Sequence, residues 1–303
     1  MSKLHVAILH GIGNYKPGYS KGLQVGIKAE FVSRLKKIVG GGDYRDEILF
    51  CEIVWDDILA AHEKKLDDVL KKALKAKRRL TWSQVIFIVL LVALIAAAFF
   101  KQPVWAAAFL LFFIYTGYKL YFLLRTDFAS RFVIDILGYG NAQIRDLIQK
   151  RIDTSLKNLN PRRENPEKAP FTFVSHSLGT VIASDYVWDR QNPDFHPALR
   201  LSNFFTMGSP LALFALRFGR EMFDRPIRIE DPQGTWINFL DNDDPIAYPL
   251  RPLNAAYEYT VDQDLDVETG MIGVAHFGYW PCKAVHKAIG QKLAEDWIRL
   301  NGK

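Results

Sequence analysis

The sequence predicts an α/β fold, with a mostly parallel central sheet flanked by helices and interrupted by an inserted hydrophobic helical hairpin. Short apolar runs of strand length alternate with segments whose apolar residues recur at helical spacing. A strand, helix, strand order of that kind implies parallel pairing. The alternation breaks off after residue 60 and resumes near residue 128, and between these points lie two long stretches without a charged side chain.

The elements follow in order. Leu4–Leu9 is an apolar run closed by His10-Gly11-Ile12-Gly13, a buried strand feeding a tight turn, and the polar stretch to Ser20 is a loop. Leu23–Val39 has helical spacing and stops at Gly40-Gly41-Gly42; Glu47–Trp55 has the β-branched and aromatic content of a second strand. From Glu63 a charged helix is expected, ending in Lys71, Lys72, Lys75, Lys77, Arg78 and Arg79 with no acid among them. Val85–Phe100 and Val104–Tyr118 are uncharged, separated by Lys101-Gln102-Pro103. Each covers roughly 24 Å as helix against about 30 Å of hydrocarbon, and counting from Trp82 and on to Leu124 brings both near spanning length. Phe128–Leu159 reads as a long amphipathic helix and Asn160–Pro170 as an exposed loop. Then come Phe171–Val174 (strand), Leu178–Trp188 (helix), Leu201–Met207 and Trp236–Leu240 (strands) and Cys282–Leu300 (closing helix). The domain reading is therefore a catalytic unit of residues 1–60 and 128–303, with residues 61–127 as an insertion.

Composition narrows the class. The chain has 303 residues, 49% of them hydrophobic and 24% charged, which excludes a disordered polymer and leaves material for a core. A net charge of +6 implies affinity for something anionic. Its densest part adjoins the hairpin and is not interleaved with aromatics, so lipid headgroups are expected as partner and nucleic acid is not. Cys51 and Cys282 are too few for a disulfide framework or a zinc site, so a reducing compartment is expected. Met1–His10 has no basic start followed by an apolar stretch, so a signal peptide is not expected there.

The chemistry centres on Ser175-His176-Ser177-Leu178-Gly179, set between a strand and a helix. A sharp turn there pushes the Ser177 hydroxyl out at a helix N-terminus, and small residues are needed two before and two after it. Ser175 and Gly179 meet that need, although the usual pattern has glycine at both positions. Acyl transfer places negative charge on a carbonyl oxygen, and preset backbone amides stabilise it. The amide of Leu178 and one from the glycine turn, Ile12, are the expected donors. Asp241, Asp243 and Asp244 follow the Trp236–Leu240 strand; Asp244 is the expected acid because Pro245 fixes the local backbone, while Asp241 and Asp243 fit turn-forming roles. His276 stands in a loop ahead of the closing helix. Of the others, His5 lies within a strand, His10 begins the glycine turn, His62 belongs to the charged helix, His176 adjoins Ser177 with its side chain directed elsewhere, His196 sits in a Pro-flanked loop and His286 falls in the closing helix. His276 alone offers a loop histidine after the acid, which gives nucleophile, acid and histidine in the order Ser177, Asp244, His276.

His10–Gly13, Ser175–Thr180, Thr206–Pro210, Asp244–Ala247 and His276–Trp280 together resemble α/β-hydrolases of the serine esterase and lipase type. Asp244–Leu253 is also locally similar to the acid-bearing segment of intracellular phospholipases A1 with a DDHD domain. The resemblance implies Ser177 as nucleophile, His276 as general base and then acid, and Asp244 as the group that orients the imidazole, with no metal or organic cofactor. It implies ester hydrolysis, and the apolar insertion points to a lipophilic acyl ester as substrate; an acyltransferase or thioesterase on the same scaffold, or an inactive membrane-anchored scaffold, are the alternatives. The run Lys71–Arg79 is expected to engage an anionic lipid surface at about 1 kcal/mol per basic residue. Basic residues at both outer ends of the hairpin place the catalytic unit on the cytoplasmic side. The hairpin serves either as membrane anchor or as an apolar cap over the acyl pocket; charge-free runs of this length with a basic flank favour the membrane.

Overall fold

A computed structural model describes residues 2–13, 15–61, 136, 138–159, 171–190, 200–218, 227–271 and 274–303. The chain divides into two compact units, Met1–Asp56 with Arg145–Lys303, and Asp57–Ile144. The basic run, the hairpin with Trp82, Lys101 and Trp105, the Asn160–Pro170 loop, His62 and His196 lie outside the described residues.

In the first unit, a six-stranded sheet is built from β1 (Leu4–Leu9), β2 (Ile48–Ile53), β3 (Phe171–His176), β4 (Leu201–Met207), β5 (Thr235–Leu240) and β6 (Gln263–Asp266). Its order is β2-β1-β3-β4-β5-β6, and every pairing is parallel. Strands β1, β3 and β4 are buried along their whole length, the pattern of strands covered on both faces. The edge strand β6 has the sequence Gln-Asp-Leu-Asp and no apolar alternation. Charged residues on an edge discourage further pairing, and they also hide the strand from a hydropathy reading.

Helix α1 (Lys21–Ile38) buries Leu23, Ile27, Phe31 and Leu35, one residue per turn on one face. These join Val285, Ile289, Leu293 and Trp297 of the closing helix in the main core, beneath β1, β3 and β4. Helix α2 (Ala142–Leu159) buries Ile148, Ile152 and Leu156 in the same way. The expectation of one continuous helix over Phe128–Leu159 is corrected here. The described part turns at Gly140 and Asn141, whose amides donate to the carbonyls of Ile136 and Gly138. Asn141 Oδ1 then accepts from the amides of Gln143 at 2.9 Å and Ile144 at 3.4 Å, which caps a new helix start. Helices α3 (Leu178–Arg190), α4 (Leu211–Phe218), α5 (Ala255–Thr260) and α6 (Lys283–Leu300) follow along the chain.

The strand order decides where a site forms. From β1 the chain goes outward to β2, then returns past β1 to place β3 on its other side. In open parallel sheets the crevice at the carboxyl ends of two strands that part in this manner is left uncovered by crossover helices. Here those ends carry His10-Gly11-Ile12 after β1 and Ser177 after β3, since Leu9 pairs with Ser175.

Candidate active site

Ser177 sits between the last residue of β3 and the first of α3 with φ +56, and it is the one non-glycine residue with positive φ among the described residues. A side chain held in that region costs on the order of 1–3 kcal/mol, so the surroundings must enforce it. They do so by hydrogen bonds: Ser177 N donates to Met207 O at 3.0 Å, while Thr180 donates to Ser177 O from its backbone N at 2.8 Å and from Oγ1 at 2.7 Å. Ser209 Oγ lies 2.8 Å from Thr180 Oγ1 and ties the turn to the segment after β4.

Close packing explains the small residues. A Cβ on Gly179 would stand 2.4 Å from the His10 carbonyl oxygen, and one on Gly11 would stand 2.3 Å from Ser177 Cβ and 3.0 Å from Ser177 Oγ. The start of α3 and the turn after β1 therefore approach too closely for a side chain at either glycine. Ser175 is fully buried and its hydroxyl donates to Phe205 O at 3.4 Å, so serine fits where glycine is usual.

The expected acid and histidine meet this serine. His276 Nε2 lies 2.8 Å from Ser177 Oγ, and His276 Nδ1 lies 2.8 Å from Asp244 Oδ2. Asp244 also accepts from Tyr279 OH at 3.0 Å on the same oxygen and from Ile246 N at 3.1 Å on the other. Burial alone would raise the Asp244 pKa, but the bond and charge of His276, with the Ile246 amide and the Tyr279 hydroxyl, outweigh it and hold the carboxyl below its ordinary value. An ionised Asp244 fixes the proton of His276 on Nδ1 and leaves Nε2 as the acceptor facing Ser177. All three side chains are buried.

Asp241 and Asp243 fall in the turn as expected. Asp241 accepts from Asp243 N at 2.8 Å and from Thr269 N and Oγ1, both at 2.6 Å. It organises the loops and braces Asp244, whose amide donates to the Asp241 carbonyl at 2.9 Å.

The residues expected to supply amides lie at the same end of the sheet. Leu178 opens α3, so its N–H has no carbonyl four residues back in the helix. Ile12 follows Gly11 in the turn that abuts Ser177. His10 stabilises that turn: its ring stacks on Trp55 at 5.1 Å, Trp55 N donates to Nε2 at 3.4 Å, and Nδ1–H donates to the Gly11 carbonyl at 2.8 Å. Burial lowers its pKa to about 4 although the Gly11 carbonyl and Glu52 oppose the shift, so His10 stays neutral.

Two contributors escaped the sequence reading. Tyr279 bridges the loops, accepting from Asp241 N at 3.0 Å and donating to Asp244; its place in His276–Trp280 was the available signal. His176 does not point away from the site. Its Nε2 lies 2.7 Å from the His276 carbonyl oxygen and its ring 4.8 Å from the His276 ring, because the last residue of β3 is directed onto the neighbouring histidine loop. Among the described residues no cluster of three or more His, Cys, Asp or Glu has metal-holding geometry, and no helix is long and apolar enough to cross a membrane.

Comparison with known proteins adds one distant relation. No known protein-family profile matches the chain. A probable mitochondrial phospholipase of Schizosaccharomyces pombe is 26% identical over 153 residues, which cover 42% of this chain and 20% of that relative. The chain thus spans about one fifth of the relative's length.

Proposed function

We propose that the chain is a serine ester hydrolase of the α/β-hydrolase type, acting on lipophilic acyl esters, phospholipids among them. The observation that carries the reading is the row Asp244–His276–Ser177, bonded at 2.8 Å twice and ending on a serine at φ +56. Ser177 attacks the acyl carbonyl as His276 Nε2 takes its proton, and Asp244 steadies the imidazolium that forms. The oxyanion is held by the amides of Leu178 and Ile12, set in a site from which bulk water is largely excluded. His276 returns the proton to the leaving alcohol. It then activates a water that releases the acid from the acyl-enzyme.

The name of the Schizosaccharomyces pombe relative supports a lipid substrate. So do the charge-free runs Val85–Phe100 and Val104–Tyr118, which supply apolar surface in a chain that also carries Lys71–Arg79. In this reading the basic run binds an anionic lipid surface and the catalytic unit faces the cytoplasm.

A chain-length series of nitrophenyl and phospholipid esters, assayed on the parent and on Ser177→Ala with and without anionic vesicles, tests the proposal. Turnover should rise with acyl length and with vesicles, and Ser177→Ala should lose about 10³-fold or more. Retained turnover in Ser177→Ala removes the nucleophile; indifference to vesicles removes the lipid-surface part.

A further inference from the structure

We infer that His176 is a positioning residue, which donates from Nε2 to the His276 carbonyl and so holds the His276 imidazole between Asp244 and Ser177. The inference rests on the catalytic reading above. The first support is the bond itself. His176 Nε2 lies 2.7 Å from His276 O, and a carbonyl only accepts, so the proton of His176 is on Nε2.

Packing is the second. The His176 ring meets the His276 ring at 4.8 Å with an angle of 37°, and it is flanked by Tyr279 at 5.9 Å and Trp280 at 5.2 Å. One side chain thus grips the histidine at its own carbonyl and along its ring. His176 is also the terminal residue of a strand paired on both sides, and its partner across the ladder is Met207. Its contacts transmit the rigidity of the sheet to the short turn Ala275–Phe277 that carries His276.

The third is the cost. His176 Nδ1 is buried with no hydrogen-bond partner among the described residues. A buried acceptor left unpaired is destabilising, and an apolar side chain at this place would avoid the loss. The histidine is therefore explained by its other nitrogen. Burial and the neighbouring His276 lower its pKa to about 3, against the opposing effect of the His276 carbonyl. The ring stays neutral and does not compete with His276 for the Ser177 proton.

His176→Phe keeps a ring and removes the donor, and His176→Gln restores a donor. Two readouts separate positioning from bulk stability: steady-state kinetics on a nitrophenyl acyl ester, and the low-field proton resonance of the His276 Nδ1–H shared with Asp244, assigned by its loss in His276→Gln. His176→Phe should broaden or abolish the resonance and lower kcat about 10- to 100-fold with little change in KM, because small displacements of a reacting group are costly. His176→Gln should recover both. A sharp, unshifted resonance in His176→Phe, or equal kcat in all three proteins, overturns the inference. Should the phenylalanine variant fail to fold by circular dichroism, His176→Leu takes its place under the same criteria. Failure of the catalytic reading shows separately as retained turnover in Ser177→Ala, whereas failure of this inference leaves Ser177→Ala inactive and the resonance unmoved.

Discussion

Replacing Asp244 by Asn probes the hydrogen-bonded row where its electrostatics are best defined. Asp244 Oδ2 accepts from two donors, His276 Nδ1 and Tyr279 OH, and Oδ1 accepts from the Ile246 amide. An amide in this place has one oxygen and one NH₂. If the NH₂ faces His276, that ring must shift its proton to Nε2, which then donates to Ser177 and no longer accepts from it. If the NH₂ faces Ile246, two donors meet and the loop moves. The first outcome removes the general base at neutral pH, the second displaces it with the loop, and both remove the negative charge that stabilises the imidazolium. A loss of about 10³- to 10⁴-fold in kcat, or about 4–5.5 kcal/mol in the barrier, is expected. The stability profile should change as well. The folded Asp244 titrates below its ordinary value, so its stabilisation is present above the unfolded carboxylate pKa and is lost as pH falls through the folded one. Asp244→Asn should lack that part of the acid decline. Initial rates on a nitrophenyl ester and denaturant midpoints across acid pH measure the two effects. Activity within about tenfold of the parent would mean that Asp244 does not set the His276 tautomer, and the mechanism would need another acid.

Two further outcomes follow from packing and burial. Gly11→Ala forces a Cβ within 2.3 Å of Ser177 Cβ, so the sharp turn at Ser177 must shift; kcat should fall about 100-fold or more while the melting temperature falls only modestly, and an unchanged kcat would refute the close approach. His10, with a pKa lowered from 6.5 to about 4, makes the folded chain bind its proton later than the unfolded one. Stability should therefore decline as pH falls from about 6.5 to about 4, by on the order of 3 kcal/mol from this group, and His10→Asn should flatten that slope in urea titrations; parallel slopes would count against a neutral buried imidazole.

Local chemistry made much of the site legible. Ser175-His176-Ser177-Leu178-Gly179 stands between a strand-like run, Phe171–Val174, and a helical segment, and steric demand in a sharp turn selects its small residues. The glycine turn after β1 was readable for the same reason. β6 was not, because an edge strand needs no apolar alternation and its aspartates serve neighbours: Asp264 Oδ1 accepts from Asn238 Nδ2 and Leu250 N. Nor was the break at Gly140–Asn141, where a capping side chain outweighs a periodicity that runs through it.

Legible along the chain are the local turns, the alternation of strands and helices, and a serine, an acid and a histidine in one order. Hydropathy period and backbone sterics act over a few residues, so they are written where they act. Folding in three dimensions is what brings His276, 99 residues beyond Ser177, within 2.8 Å of it, joins Asp241 to Asp244 through Tyr279, and turns His176 onto the histidine loop. Those contacts depend on how β3, β5 and the loop before α6 are brought to one edge by the parallel sheet, and no spacing within a single segment encodes that convergence.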